Sequence, residues 1–143
     1  MGSMKYLSID YGAKKVGIAT SDDEGRMAYP CMIAENNKSL LQDIKELVKE
    51  MRIDEIVIGE SLDENGKPNP IMKEVRAFAV TLENTVDIPI HFEKEFMTSL
   101  EARRFQGKHI VDDSAAALIL QRYLDRVNKV VAPDEEEEEG EEE

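Results

Sequence analysis

The sequence predicts one α/β domain built on a five-stranded mixed sheet. Near the N-terminus, three short β-prone segments follow one another with tight turns between them. From residue 39 onward, segments with helical periodicity alternate with short apolar runs typical of strands. The chain has 143 residues and 41% hydrophobic content, which is enough for one core and short for two.

The first three predicted strands form a meander. They run from Lys5 to Asp10, from Val16 to Ser21 and from Arg26 to Ile33, and each is bounded by a turn that contains glycine. Turns this short join antiparallel neighbours. The N-terminal part of the sheet is therefore predicted to be antiparallel.

A helix and a buried strand are predicted next. Ser39 with Gln42 has the spacing of a capping box, and apolar residues recur behind it at helical spacing: Leu40, Leu41, Ile44, Leu47, Val48 and Met51. Ile53 to Ile58 is a β-branched run that ends at Gly59, which is typical of a buried parallel strand. A loop is expected from Glu60 to Asn69.

The C-terminal part predicts three further helices and one strand. Asn69 and Pro70 suggest the N-cap and first turn of the second helix, and Asp87 to Phe92 suggests the fifth strand. Thr98 with Glu101 predicts a short third helix, and an apolar stripe from Asp112 to about Asn128 predicts the last one. The predicted order is βββαβαβαα, which implies helices on both faces of the sheet.

Charge divides the chain into a body and a tail. The net charge is −13, but the segment from Asp134 to Glu143 holds nine acids and no base, which leaves 22 acids against 18 bases elsewhere. Such an acidic run is expected to be disordered from about Pro133. It is expected either to keep the protein soluble or to compete with nucleic acid for a basic binding face. Residues 1–3 resemble a cloning remnant, so the predicted domain is 4–132 and the tail 133–143.

Cysteine content and hydropathy favour a cytoplasmic protein. The single cysteine, Cys31, excludes an internal disulfide, and no Cys/His cluster suggests a structural zinc site. No apolar run reaches the length of a membrane span, and the chain does not open like a signal peptide.

Asp10 is the first candidate functional residue. A carboxylate within an apolar strand is costly unless something binds it, which favours a site over a structural role. Glu95 and Asp112 are less distinctive by themselves. Glu95 lies in a charged stretch where a solvated acid is the default, and Asp112 has a position where Asp commonly caps a helix.

Four sequence blocks carry a family resemblance. IDYGAKKVGIATSD resembles the opening motif of the YqgF/RuvX family, which is associated with pre-16S rRNA nuclease and Holliday junction resolvase activity on a ribonuclease H-like fold. VIGESLDENGKPNPIMKEVRAFAVTL, EKEFMTSLEARRF and VDDSAAALILQRYLD resemble three further blocks of the family, in the same order. Together the blocks span roughly Met4 to Asp125.

The resemblance implies a metal-dependent nuclease. It places the acidic site on Asp10, Glu95 and Asp112, which would bind Mg²⁺ or Mn²⁺, the cations that prefer carboxylates and water. The implied substrate is structured nucleic acid, either precursor 16S rRNA trimmed at its 5′ end or a Holliday junction, and the implied state is a monomer or homodimer. Since the carboxylates would repel one another without metal, at least one is expected to have a raised pKa.

Basic residues that flank the acidic blocks are the candidates for phosphate contact: Lys14, Lys15, Arg103 and Arg104. The last helix carries three more basic residues, Arg122, Arg126 and Lys129, of which Arg122 and Lys129 are more consistent with solvated surface charges.

Two other functional classes are compatible with parts of the pattern. Lys94 and Phe96 replace an acid and an arginine of the family motif, and Glu60-Ser61 replaces Leu-Pro, as expected of a non-catalytic nucleic-acid-binding or ribosome-assembly factor that retains the fold. Asp-x-Gly also opens the actin-like and sugar-kinase ATPases. Those enzymes close two domains around a nucleotide and need more than twice this length.

Overall fold

The computed structural model describes residues 4–96 and 111–131, with side chains at residues 4–95 and 115–128. Its elements in chain order are β1 (Tyr6–Tyr11), β2 (Lys15–Ser21), β3 (Ala28–Glu35), α1 (Leu40–Glu50), β4 (Glu55–Leu62), α2 (Met72–Val86), β5 (Ile90–Phe96) and α3 (Val111–Val131). The helix expected at Thr98 and the tail expected from Pro133 lie outside the described residues.

The five strands form one mixed sheet in the order β3-β2-β1-β4-β5. Strand β2 runs antiparallel to both β1 and β3, whereas β4 runs parallel to both β1 and β5. The predicted α/β class, the five strands and the contiguous antiparallel meander are therefore confirmed.

Helices α1 and α2 cover an aliphatic face of the sheet. Leu7 and Ile9 of β1 lie beside Ile56 and Ile58 of β4, and all four are fully buried. Helix α1 adds the buried residues Leu40, Ile44 and Val48, and α2 adds Met72, Val75, Ala79 and Leu82. This face supplies most of the apolar burial that stabilises the described fold.

Helix α3 covers the opposite face, which has a different composition. Because side chains alternate along a strand, Tyr6, Ser8 and Asp10 of β1 point away from the aliphatic core. The buried residues Ile119, Leu120, Tyr123 and Leu124 of α3 pack with Tyr6 and Val57. The expectation of helices on both faces is confirmed.

Two predicted strand boundaries were wrong. Strand β4 continues to Leu62, so Glu60 and Ser61 belong to the strand and not to a loop. Strand β5 runs from Ile90 to Phe96, which places Glu95 inside the strand and not beyond its end. The parallel pairing of β4 with β5 continues through polar residues. The boundaries were predicted from apolar runs, and such runs do not show where a polar part of a strand ends.

The predicted helix caps were also wrong. Ser39 stands at the start of α1 but makes no side-chain capping bond, so the capping box does not form. Helix α2 begins at Met72, and the Asn69 side chain instead donates a 2.8 Å hydrogen bond to Ser61 Oγ. Helix α3 is longer at both ends than predicted.

No helix in the described ranges is both long enough and apolar enough to cross a membrane.

Gly59 allows α3 to pack tightly on β4, and a substitution tests this contact. A Cβ at position 59 would lie 2.7 Å from Ile119 Cδ1, so Gly59→Ala should lower the free energy of unfolding by about 1–3 kcal/mol. Ile119→Val removes that methyl group and alone should cost about 0.5–1.5 kcal/mol. We expect the double variant to lose less than the sum of the two in urea denaturation, whereas strict additivity would contradict the contact.

Candidate active site

Asp10 lies near the C-terminal end of β1, opposite Gly17 of β2. Its carboxyl is half-buried on the face that α3 covers, and burial raises the pKa of Asp10 above its ordinary value of 3.8. The expectation of a raised pKa is thus met, but its cause is desolvation and not the repulsion between carboxylates that we expected.

Glu95 lies on the same face of the sheet as Asp10. The β1–β4 register pairs Ile9 with Ile58, so Asp10 follows level with Gly59, and Gly59 pairs with Glu93 of β5. Two strand spacings separate β1 from β5 by about 10 Å, and Glu95 is one same-face step beyond Glu93. Glu95 is 8% exposed, so the default of a solvated surface acid was wrong.

Two glycines lie beside the two acids. A Cβ at Gly59 would stand 3.6 Å from Glu95 Oε1, and a Cβ at Gly17 would stand 3.7 Å from Asp10 Cβ. The sheet between and beside the acids therefore carries no side chain at these two positions. Side chains of α3 occupy the space over both glycines, because Ile119 packs over Gly59 and Ala116 packs over Gly17.

Asp112 is in the first turn of α3, but its side chain lies outside the described residues. Among the side chains that the structure describes, no group of three His, Cys, Asp or Glu residues is placed to hold a metal ion. In the described part of the chain, Asp10 and Glu95 therefore lie on one face of the sheet. The participation of Asp112 in the site stays a prediction.

The chemistry of these donors fits a hard divalent cation. Asp10 and Glu95 offer oxygen atoms, which Mg²⁺ and Mn²⁺ prefer over nitrogen or sulfur ligands. Burial disfavours the ionised form of the half-buried Asp10 carboxyl, and a bound cation would offset that cost.

The β1–β2 turn presents Lys14 and Lys15 next to Asp10. Both lysines are exposed, and the turn is held by Asn36, whose side chain donates to the Gly12 carbonyl at 2.8 Å. The backbone N–H of Asn36 also donates to the Lys14 carbonyl at 2.9 Å. This fixed turn places two cations beside the candidate site, whereas Arg103 and Arg104 lie outside the described residues.

The residues that depart from the family motif have structural partners in this chain. Glu60 forms a 3.5 Å ion pair with Arg76 of α2, and Ser61 accepts the hydrogen bond from Asn69. Lys94 is exposed on strand β5, and the side chain of Phe96 lies outside the described residues. The presence of Glu60 and Ser61 at these positions therefore leaves the candidate acids on the α3 face in place.

The sequence did not predict one partly buried ion pair. Glu93 is 8% exposed and pairs with Arg126 of α3, whose guanidinium also lies 5.4 Å from the centre of the Tyr123 ring. Arg126 was expected as a basic surface residue with a possible role at phosphate, but it joins α3 to β5. The alternation of His91, Glu93 and Glu95 on one strand face is the signal that could have revealed this contact.

Sequence comparison identifies relatives along most of the chain. The model of a family described as "RuvX: Holliday junction resolvase" matches residues 4–126. A protein of Maridesulfovibrio salexigens named "Putative pre-16S rRNA nuclease" is 34% identical over 135 residues, covering 86% of this chain and 99% of that protein. A Bacillus subtilis protein of the same name is 32% identical over 138 residues, covering 87% and 100%.

Structural comparison finds a similar fold in distant proteins. Thermus thermophilus RuvC matches with a TM-score of 0.54 at 12% identity, covering 87% of this chain and 97% of RuvC. The same protein in complex with a Holliday junction substrate gives a TM-score of 0.51 at 11% identity, with 87% and 96% covered. At these identities the likeness concerns the fold alone.

The burial of Asp10 predicts that removing its charge stabilises the protein when no metal is present. Because the folded-state pKa is raised, the ionised carboxyl lowers stability progressively as pH rises from about 3.8 through the folded-state value. In EDTA, Asp10→Asn should therefore have the higher melting temperature at neutral pH, and the difference should shrink as the pH falls toward 3.8.

Asp22 is the matched control, because its substitution is expected to change the melting temperature in the opposite direction. Its carboxylate accepts the Arg26 backbone N–H at 2.9 Å, and this hydrogen bond is the main cause of the lowered pKa of Asp22. The stability that it contributes is present above the unfolded-state pKa and is lost as pH falls through the folded-state value. Asp22→Asn should lower the melting temperature at neutral pH, and an equal effect of both substitutions would contradict the assignment.

Proposed function

Because this chain belongs to the RuvX family, we propose that it is a divalent-metal-dependent nuclease that hydrolyses phosphodiester bonds in structured nucleic acid. The observation that carries the proposal is the placement of Asp10 and Glu95 on one face of the sheet, on the strands that flank β4. Helix α3, which contains Asp112 in its first turn, covers that face.

In this proposal Asp10, Glu95 and Asp112 hold one or two Mg²⁺ or Mn²⁺ ions. A bound cation supplies charge for the transferring phosphoryl group and lowers the pKa of an attacking water. The three carboxylates would hold the metal ions in place. Because all their donor atoms are oxygen, they favour hard cations over softer metals. Lys14 and Lys15 bind backbone phosphates beside the site and so keep the scissile bond near the acids.

The proposed natural substrate is precursor 16S rRNA processed at its 5′ end. Relatives at 32–34% identity that match nearly their whole length carry the pre-16S rRNA nuclease name. RuvC, which acts on four-way junctions in the complex above, resembles this chain at 11% identity and informs only the fold. A four-way DNA junction is therefore the comparison substrate.

A non-catalytic nucleic-acid-binding role is the second candidate. The replacement of a motif arginine by Phe96 favours it, because an arginine at this place would provide bidentate phosphate contacts. The two candidates differ in one observable, which is metal-dependent product formation.

We predict that Asp10→Asn and Glu95→Gln each lower Mn²⁺-dependent cleavage of a precursor 16S rRNA 5′ leader by at least about a hundredfold. Both substitutions keep side-chain shape but remove a charged ligand, so substrate affinity should change little. Asp23→Asn is the control, because Asp23 is exposed and pairs with Lys5 at the other end of β1.

Product formation measured on denaturing gels decides between the candidates. If Asp10→Asn and Glu95→Gln both cleave as well as the wild-type protein, the activity does not depend on these two acids. No cleavage of the leader or of a four-way junction, with binding retained, would establish the non-catalytic role.

We also predict that Lys14→Ala with Lys15→Ala weakens nucleic-acid binding in a salt-dependent way. Each lost phosphate contact should reduce the slope of log affinity against log salt by about 0.7 for single strands and about 0.9 for duplex DNA. Lys45→Ala with Lys49→Ala is the control for net charge, because both lysines are exposed on α1, on the other face of the sheet. Fluorescence anisotropy across a salt series measures the slope, and equal slopes for all variants would exclude these lysines from the interface.

A further inference from the structure

Ser8 makes a buried hydrogen bond between the first strand and the last helix. Its side chain is 0% exposed, and its hydroxyl donates to the Ala116 carbonyl of α3 at 2.7 Å. The two residues are 108 positions apart in the chain. A serine hydroxyl that donates directly to a helix carbonyl requires the helix backbone to lie very close to the sheet.

Small residues on both sides permit this approach. A Cβ at Gly17 would lie 3.6 Å from Ala116 Cβ and 3.7 Å from Asp10 Cβ. Ala19 on β2 and Ala116 and Ala117 on α3 form a buried cluster at the same place. The helix therefore packs closely on the sheet at Gly17, which pairs with Asp10.

Two contacts show that α3 runs antiparallel to β1. Tyr6 meets Tyr123 with ring centres 5.7 Å apart, and Ser8 meets Ala116, so successive same-face positions of β1 contact progressively earlier residues of α3. From Ser8 to Asp10 the strand advances by about 6.7 Å, and from Ala116 back to Asp112 the helix advances by about 6 Å. Because α3 runs antiparallel to β1, the backbone of Asp112 therefore lies toward the end of β1 that carries Asp10.

We infer that Ser8 is a positioning residue of the proposed metal site, because its bond to the Ala116 carbonyl sets the position of the N-terminal half of α3 and thereby that of Asp112 relative to Asp10. This inference rests on the proposed function for the role of the acids. Polar contacts of Gln121, Arg126 and Asn128 hold the C-terminal half of α3. Among the described residues, the Ser8 bond is the directional contact of the N-terminal half, where packing between small apolar side chains alone would permit movement.

The test compares Ser8→Ala with Ser21→Ala. Ser21 is 3% exposed and lies on the same sheet face, where its hydroxyl accepts the Tyr6 N–H at 2.9 Å and donates to the Asp22 carbonyl at 2.8 Å. Each substitution removes a buried serine hydroxyl, so both should lower the urea midpoint by a similar amount. Ser8→Ala alone should weaken the affinity for Mn²⁺, measured by calorimetry, by about tenfold.

A conservative variant guards against simple unfolding. Ser8→Cys keeps a weak donor of similar size, so its Mn²⁺ affinity should fall between those of the wild type and Ser8→Ala. Equal loss of Mn²⁺ affinity in Ser8→Ala and Ser21→Ala would show that the effect follows stability, and it would overturn the inference.

Crystal structures separate this inference from the proposed function. We expect the N-terminal half of α3 to be displaced relative to β1 in Ser8→Ala, and to keep its wild-type position in Ser21→Ala. A wild-type protein that neither binds Mn²⁺ nor cleaves nucleic acid would end the proposed function, while the α3 displacement would still establish Ser8 as the residue that sets the helix position. An unmoved α3 with unchanged Mn²⁺ affinity in Ser8→Ala would overturn the inference.

Discussion

The candidate site depends on the register of three parallel strands. Because side chains alternate, a shift of one residue in β1 would turn Asp10 into the aliphatic core and Ile9 out toward α3. Ile9 is fully buried opposite Ile58, which is also fully buried, and both belong to the aliphatic face. The apolar residues that stabilise the fold thus also hold Asp10 on the α3 side, although they lie on the other side of the sheet.

The two faces of the sheet have different roles. The α1–α2 face is filled by Leu, Ile and Val, and its burial provides a non-directional stabilising force. The α3 face combines a smaller apolar cluster around Tyr123 with glycine, serine, alanine and acids, which bury less apolar area and need specific partners. The aliphatic face already supplies much of the stability, so the fold tolerates polar residues on the α3 face. The candidate site lies on that α3 face.

Sequence periodicity predicted the parts of the fold that depend on apolar patterns. The meander, α1 and the aliphatic part of β4 follow from alternation and helical spacing, and they are where the structure has them. The end of β5 did not follow, because His91, Glu93 and Glu95 are polar and only the pairing with β4 makes them strand residues. The Ser39 capping box failed because the pattern allows a side-chain bond without requiring it.

The candidate site was predictable only in part. Asp10 was unusual enough to be singled out from its strand, whereas Glu95 and Asp112 came from the family resemblance. The bond between Ser8 and Ala116 could not be predicted, since it joins residues 108 positions apart and requires the closeness of a helix to a sheet. Long-range polar contacts of this kind have no periodic signature.

Glu93 and Asp10 show two ways in which this fold treats an acid on the α3 face. Glu93 is buried and has a cation from its own chain, because Arg126 reaches it from α3. Asp10 has no ion pair within the described residues, and burial alone raises its pKa. A structural acid is expected to resemble Glu93, since an uncompensated buried charge is costly. Burial therefore makes the charge of Asp10 costly, and a bound cation is one partner that would offset this cost.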